Sequence, residues 1–217
     1  YFKNSEFRVY FSIILFVSFL IFLNLIFNNI NSFGFDTMRN SIFTTISLLT
    51  TTGYTTENYE LWPNFATSMC FFLLFLGGTA GSTTGGIKII RTILIFKYLF
   101  VELKRILHPN GIYTIKIGDK IIDDNIIKNT LGFYMFYMFI FIGFAFCISM
   151  YDIDLLTSLS ASASAIGNVG PGLGDIGPSD NWGHFPPFIK LFSTFCMLLG
   201  RLEIYTVIAL ISKIFWK

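Results

Sequence analysis

The chain has 217 residues, of which 53% are hydrophobic and 13% charged, with a formal net charge of +2 and a mean hydropathy of +0.65. A soluble domain carries about 25% charged residues, so that class is excluded and membrane composition is indicated. Cys70, Cys147 and Cys196 lie scattered through apolar runs, and His108 and His184 are isolated, so neither a disulfide framework nor a metal cluster is expected. From the N-terminus, Val9 to Phe35 is uncharged and exceeds the roughly 20 residues that span about 30 Å of hydrocarbon. A short apolar segment at 41–52 and a third run from Leu61 to Ile87 follow. The stretch 101–128, with Glu102, Lys104, Arg105, Lys116, Asp119, Lys120, Asp123, Asp124 and Lys128, is too charged for lipid and reads as a cytoplasmic connector. The long, short, long order then recurs as Asn129 to Tyr151, Leu155 to Gly174, and 185–212. Residues 1–100 and 129–217 are therefore read as two copies of one unit.

The short segments set the expected architecture. About a dozen residues, at 41–52 and 155–166, make some 18 Å of helix, too little to cross. They are expected to be re-entrant pore helices between membrane helices, in an all-α membrane protein. Each ends in a stretch unfit for helix, 50–56 (TTTGYTT) and 167–174 (GNVGPGLG). Non-helical backbone at membrane depth survives only when buried in protein or lining a watery cavity. A pore lining follows. Basic residues favour the cytoplasm. If each half enters from inside and dips back from outside, the inner side carries twelve basic and five acidic residues and the outer side two and seven. Outer acids concentrate cations, or are solvated loop charges.

A dehydrated monovalent cation needs a ring of oxygens, which K⁺ channels supply from the carbonyls of four TVGYG loops. Thr51-Thr52-Gly53-Tyr54 matches that string at Thr, Gly and Tyr, and Asn168-Val169-Gly170-Pro171 at Val and Gly. These eight residues are the expected selectivity filter, with K⁺ held at Thr51, Thr52, Gly53, Asn168, Val169 and Gly170. Glycine at 53 and 170 permits backbone angles that turn neighbouring carbonyls to the axis. The C-terminal ends of two short helices aimed there also favour a cation. The third run carries Gly77, Gly78, Gly81, Gly85 and Gly86, which should unwind it. The 77–86 stretch is either a close-packing GxxxG face or a flexible gate. An offset of 117, taken from Gly53 to Gly170, brings Thr83 and Thr84 to Gly200 and Arg201. Arg201 is expected beside the glycine loop, closing the path with it or serving as a structural clamp. Glu203 points to another face and fixes packing.

Two soluble-enzyme strings fail their context. Gly172 to Gly177 satisfies GxGxxG but opens no βαβ unit, and Gly81 to Gly86 has phosphate-loop spacing with Ile87 where lysine is required. No nucleophile and base set appears, so neither an enzyme nor a cofactor is expected.

TTTGYTT at 50–56, LGGTAGSTTGGIKIIR at 76–91, GNVGPGLG at 167–174 and MLLGRLEIYTVIAL at 197–210 together resemble the Trk/Ktr/HKT superfamily of K⁺ transporters, with GRLE at 200–203 favouring the TrkH type. The resemblance implies K⁺ uptake through four membrane helix–pore helix–membrane helix repeats around one pseudo-four-fold pore. This chain resembles the last two repeats. It further implies a gate at 77–86, an arginine matching Arg201, homodimers in the bacterial inner membrane, and a cytoplasmic nucleotide-binding RCK ring of the TrkA type. Nucleic acid is not an expected partner. The Tyr1 start leads to the expectation of a C-terminal half. Asn168 and Pro171 depart from the K⁺ channel string, which leaves a Na⁺-permeable member open. A discontinuous-helix carrier for another substrate and a membrane scaffold are the readings from other classes.

Overall fold

The computed structural model describes residues 5–28, 34–109, 111, 113–118, 120–202, 204–211 and 216. Among the described residues, two helices are long and apolar enough to cross a bilayer, α1 (Ser5–Phe27, 23 residues) and α5 (Asp124–Ser149, 26 residues). At 1.5 Å per residue they reach about 35 and 39 Å. Phe11, Phe16 and Phe19 on α1, and Met135, Phe139 and Phe146 on α5, stay exposed. Helices apolar on every side suit lipid, since water would penalise such surfaces.

Each long helix is followed by a short one, α2 (Phe35–Leu49, 15 residues) and α6 (Leu155–Gly167, 13 residues). They extend only about 22 and 20 Å. α6 falls on the segment expected from sequence. α2 starts earlier than position 41, because Asp36 sits in its first turn, where a helix favours negative charge, and pairs with Arg39 at 3.0 Å. Charges that resemble loop residues are here a helix start. Asp154 caps α6 by accepting the Leu156 N–H at 3.0 Å, and Asn168 ends it in the left-handed region at φ 56°.

α6 is encased in protein, with every residue from Thr157 to Gly167 except Leu159 buried. Its serines allow close backbone approach. The Ser162 hydroxyl donates to the Phe141 carbonyl of α5 at 2.6 Å. The core joins Leu48 and Leu49 of α2, Phe141, Phe144 and Ile148 of α5, and Ala161, Ala163, Ala165 and Ile166 of α6 in one cluster across both halves.

The third apolar run is not one interrupted helix. α3 (Asn64–Leu73) gives way to a non-helical loop over 74–88, and α4 (Ile89–Leu107) follows, running past the expected boundary at 100. With no helix over 77–86, the GxxxG packing reading has nothing to act on. The connector holds a hairpin, β1 (Lys116–Ile117) against β2 (Lys120–Ile121), with Lys116 opposite Ile121. The last run divides into α7 (Pro187–Arg201) and α8 (Ile204–Ile211), and Glu203 lies outside the described residues. Among the described residues no group of three or more His, Cys, Asp or Glu side chains suits a metal ion.

Candidate functional site

Leaving α2, the chain turns its donors back on the helix. The Thr50, Thr51 and Thr52 N–H groups donate to the carbonyls of Ile46, Leu48 and Ser47 at 2.8, 3.1 and 2.9 Å. Thr51 (φ 53°) and Gly53 (φ 76°) adopt left-handed backbone. The carbonyls of Thr51, Thr52 and Gly53 are engaged by no donor among the described residues. The Tyr54 carbonyl accepts from the Ser47 hydroxyl at 2.5 Å, and the Tyr54 ring is exposed.

The loop after α6 is built the same way. Val169 N–H donates to the Ser164 carbonyl at 3.1 Å and Gly170 N–H to the Ser164 hydroxyl at 3.1 Å. The Asn168 side-chain amide donates to the Met197 carbonyl of α7 at 2.9 Å. Gly170 has φ 107° and faces open space. Among the described residues no donor engages the Asn168 and Val169 carbonyls, while that of Gly170 accepts from the Trp182 indole at 3.1 Å. A carbonyl has two lone pairs, so that bond leaves Gly170 one acceptor site.

The two loops meet. A Cβ at Gly53 would strike the Val169 carbonyl oxygen and lie 2.9 Å from Pro171 Cδ. The segment after the first loop also braces the second, since the buried Tyr59 hydroxyl donates to the Gly172 carbonyl at 2.8 Å. Nearby, partial burial, then Asp180 and Asp175, push the Glu60 carboxyl above the usual range, against the opposing pull of the Gly174 backbone.

The glycine loop lies against the same place. Its ends are joined by Gly77 N–H to Ile87 O at 2.7 Å and Ile87 N–H to Phe75 O at 2.9 Å, and inside it the Thr84 hydroxyl accepts the Gly78 N–H at 2.8 Å. Gly85 packs on the Gly167 carbonyl and Gly200 of α7 on the Ile166 carbonyl, where a Cβ would collide in either case. The C-terminal end of α6 is thus held between the glycine loop and α7. Gly77 packs on the Gly85 carbonyl, Gly78 on the Thr84 side chain, Gly86 has φ 69°, and Gly81 touches nothing. A cavity of about 350 Å³ opens there, lined by Ser82, Thr83 and Thr84 of the loop together with Lys88, Arg91 and Arg201. The Arg91 guanidinium lies 4.0 Å from the Phe133 ring centroid.

Of the residues singled out from sequence, Gly53 meets Val169 and Pro171 where the two loops touch, Gly86 and Arg201 line the cavity, and Gly77, Gly78, Gly81 and Gly85 lie in the glycine loop beside it. Ser47, Tyr59, Ser164 and Trp182 were not legible in advance. The alternating serines of α6 were the available signal, since five hydroxyl residues on a buried apolar helix need partners.

These features define an all-α membrane protein in which non-helical loops meet between the helices. The family model described as "TrkH: Cation transport protein" matches residues 8–216, and the chain belongs to that family. It is 35% identical over 217 residues to the Trk system potassium uptake protein TrkH of Salmonella typhimurium, covering 100% of this chain and 44% of that protein. Against the same-named protein of Escherichia coli K12 the identity is 34%, with the same coverage. The crystal structure of the potassium transporter TrkH from Vibrio parahaemolyticus superposes with a TM-score of 0.92 at 34% identity, covering 100% of this chain and 46% of that one. The chain spans less than half the length of the relatives it matches.

Proposed function

We propose that the chain forms the last two of four membrane helix–pore helix–membrane helix repeats in a K⁺ uptake protein of the bacterial inner membrane. The observation that carries this reading is the contact of Gly53 with the Val169 carbonyl, which brings two glycine loops from separate short helices to one point. K⁺ exchanges water there for the carbonyls of Thr51, Thr52, Gly53, Asn168, Val169 and Gly170. Tyr54 and Pro171 flank that ring. Below it, the glycine loop and Arg201 close the path from inside. The cavity lining supports this, because Lys88, Arg91 and Arg201 set positive charge before a cation. The charged hairpin of β1 and β2 and the basic last turn of α4 suit an inner polar surface for an RCK ring of the TrkA type, on a multi-pass homodimer.

The test is Rb⁺ and Na⁺ uptake by the complete natural protein in vesicles. Gly53→Val and Gly170→Val are expected to abolish K⁺ over Na⁺ preference, and preference preserved in both contradicts the filter. Arg201→Ala, or a shortened 77–86 loop, is expected to raise flux. Unchanged flux in both removes the gate.

A further inference from the structure

We infer that Glu6, at the first turn of α1, is a positioning residue that latches the glycine loop closed. The inference rests on the gate reading above and goes beyond it by naming what holds the loop in place. Glu6 is only 8% exposed, near the start of a mostly apolar helix whose outward residues there include Arg8, Val9, Phe11 and Ser12. A carboxylate in such surroundings is expensive unless it is hydrogen-bonded. Its Oε1 accepts the backbone N–H of Ala80 at 2.7 Å, across 74 positions of sequence.

Ala80 stands at the exposed tip of the loop. The loop satisfies its own N–H groups at Gly78, Ser82 and Thr84 from within, through Thr84 Oγ1, the Thr79 carbonyl and Ser82 Oγ. The Ala80 N–H instead goes to a different helix. Lys88, at the start of α4, holds a carbonyl two residues further along, since its ammonium donates to Ser82 O. The bridge between Leu76 and Ile87 closes the base of the loop, so the tip swings without the base unravelling. Hydrogen bonds to an ionised acceptor are roughly twice as strong as neutral ones, which suits a latch rather than incidental contact.

α1 links the latch to the rest of the path. It packs along α2, the short helix that ends in the first glycine loop, and also against α3 and α4. Displacement of its inner end pulls on Ala80 while the loop base stays fixed between Leu76 and Ile87. The tip lies on the cavity that Arg201 also lines, because Ala80 and Arg201 both border it. Releasing the Ala80 N–H therefore frees the part of the loop that faces the arginine.

The experiment measures initial Rb⁺ uptake per inserted protein in vesicles, for the complete natural protein and its Glu6→Ala, Glu6→Gln and Arg201→Ala variants. Glu6→Ala is expected to raise the rate roughly tenfold, the factor corresponding to losing about 1.4 kcal/mol from the closed state. Glu6→Gln keeps an acceptor oxygen and is expected to raise it less, with K⁺ over Na⁺ preference unchanged in both. A merely structural glutamate would lower uptake instead. Should Glu6→Ala fail to insert, Glu6→Gln decides by the same direction of change. Unchanged or lowered uptake in the Glu6 variants beside raised uptake in Arg201→Ala overturns the latch and leaves the gate standing. No rise in any variant overturns the gate reading beneath it.

Discussion

The two halves of the molecule break their return helices differently. In the first half, residues 74–88 form a long folded loop between α3 and α4; in the second, α7 continues through Gly200 and Arg201 and breaks only at Leu202. Both nevertheless press on one object, the C-terminal end of α6, through Gly85 on the Gly167 carbonyl and Gly200 on the Ile166 carbonyl. That end carries partial negative charge from the helix dipole. One half approaches it with an irregular loop, the other with a continuous helix bearing a permanent cation. The difference teaches that two segments of unlike backbone can hold one helix end between them.

The helical side is expected to be the less tolerant. Gly200→Val drives a side chain into the Ile166 backbone, which cannot rotate away as a side chain can, and is expected to cost at or above the roughly 3 kcal/mol at the top of the overpacking range. Thermal unfolding of the purified protein measures it, and an unchanged midpoint would break the comparison. On the loop side, Gly85→Ala meets the Gly167 carbonyl but lies on a loop that can shift, so about 1–3 kcal/mol is expected together with raised Rb⁺ flux. Gly81→Ala, in open space on the same loop without positive φ, is expected to stay within about 0.5 kcal/mol of the parent. Equal effects at 81 and 85 would show that contact with α6 does not set the loop's place.

The smallest effect concerns the segment after the first loop, where Tyr59 braces the Gly172 carbonyl and Glu60 lies beside it. The Glu60 carboxyl titrates above its unfolded value of 4.5, so the folded state binds more proton than the unfolded one between those values. Its contribution is fully present below about pH 4.5 and is lost as pH rises through the folded value. Glu60→Gln is expected to flatten the pH dependence of the unfolding midpoint above that point, modestly, because the group is largely solvated. A steeper dependence in the variant would contradict the assigned direction.

Hydropathy was enough to locate α1, α5 and α6, because length and the absence of charge are properties of the chain itself. It misplaced the start of α2, where Asp36 and Arg39 belong to a helix end, and it ran α3 into the glycine stretch as one interrupted span. Among the candidate site residues, Gly53, Gly170 and Arg201 were singled out by motif and repeat offset. Tyr59, Trp182 and Glu6 were not, since each acts on a backbone group that no motif links to it, Gly172, Gly170 and Ala80 respectively, 113, 12 and 74 positions away.

The amino-acid sequence alone determined that the chain has membrane composition and where its apolar runs depart from helix, because apolar length and glycine content are local. Tertiary structure alone decided which carbonyls remain free and which loop rests on which helix end. Those outcomes depend on hydrogen-bond donors and close backbone approaches between segments more than a hundred residues apart, such as Gly53 on Val169, and no local pattern encodes such a meeting.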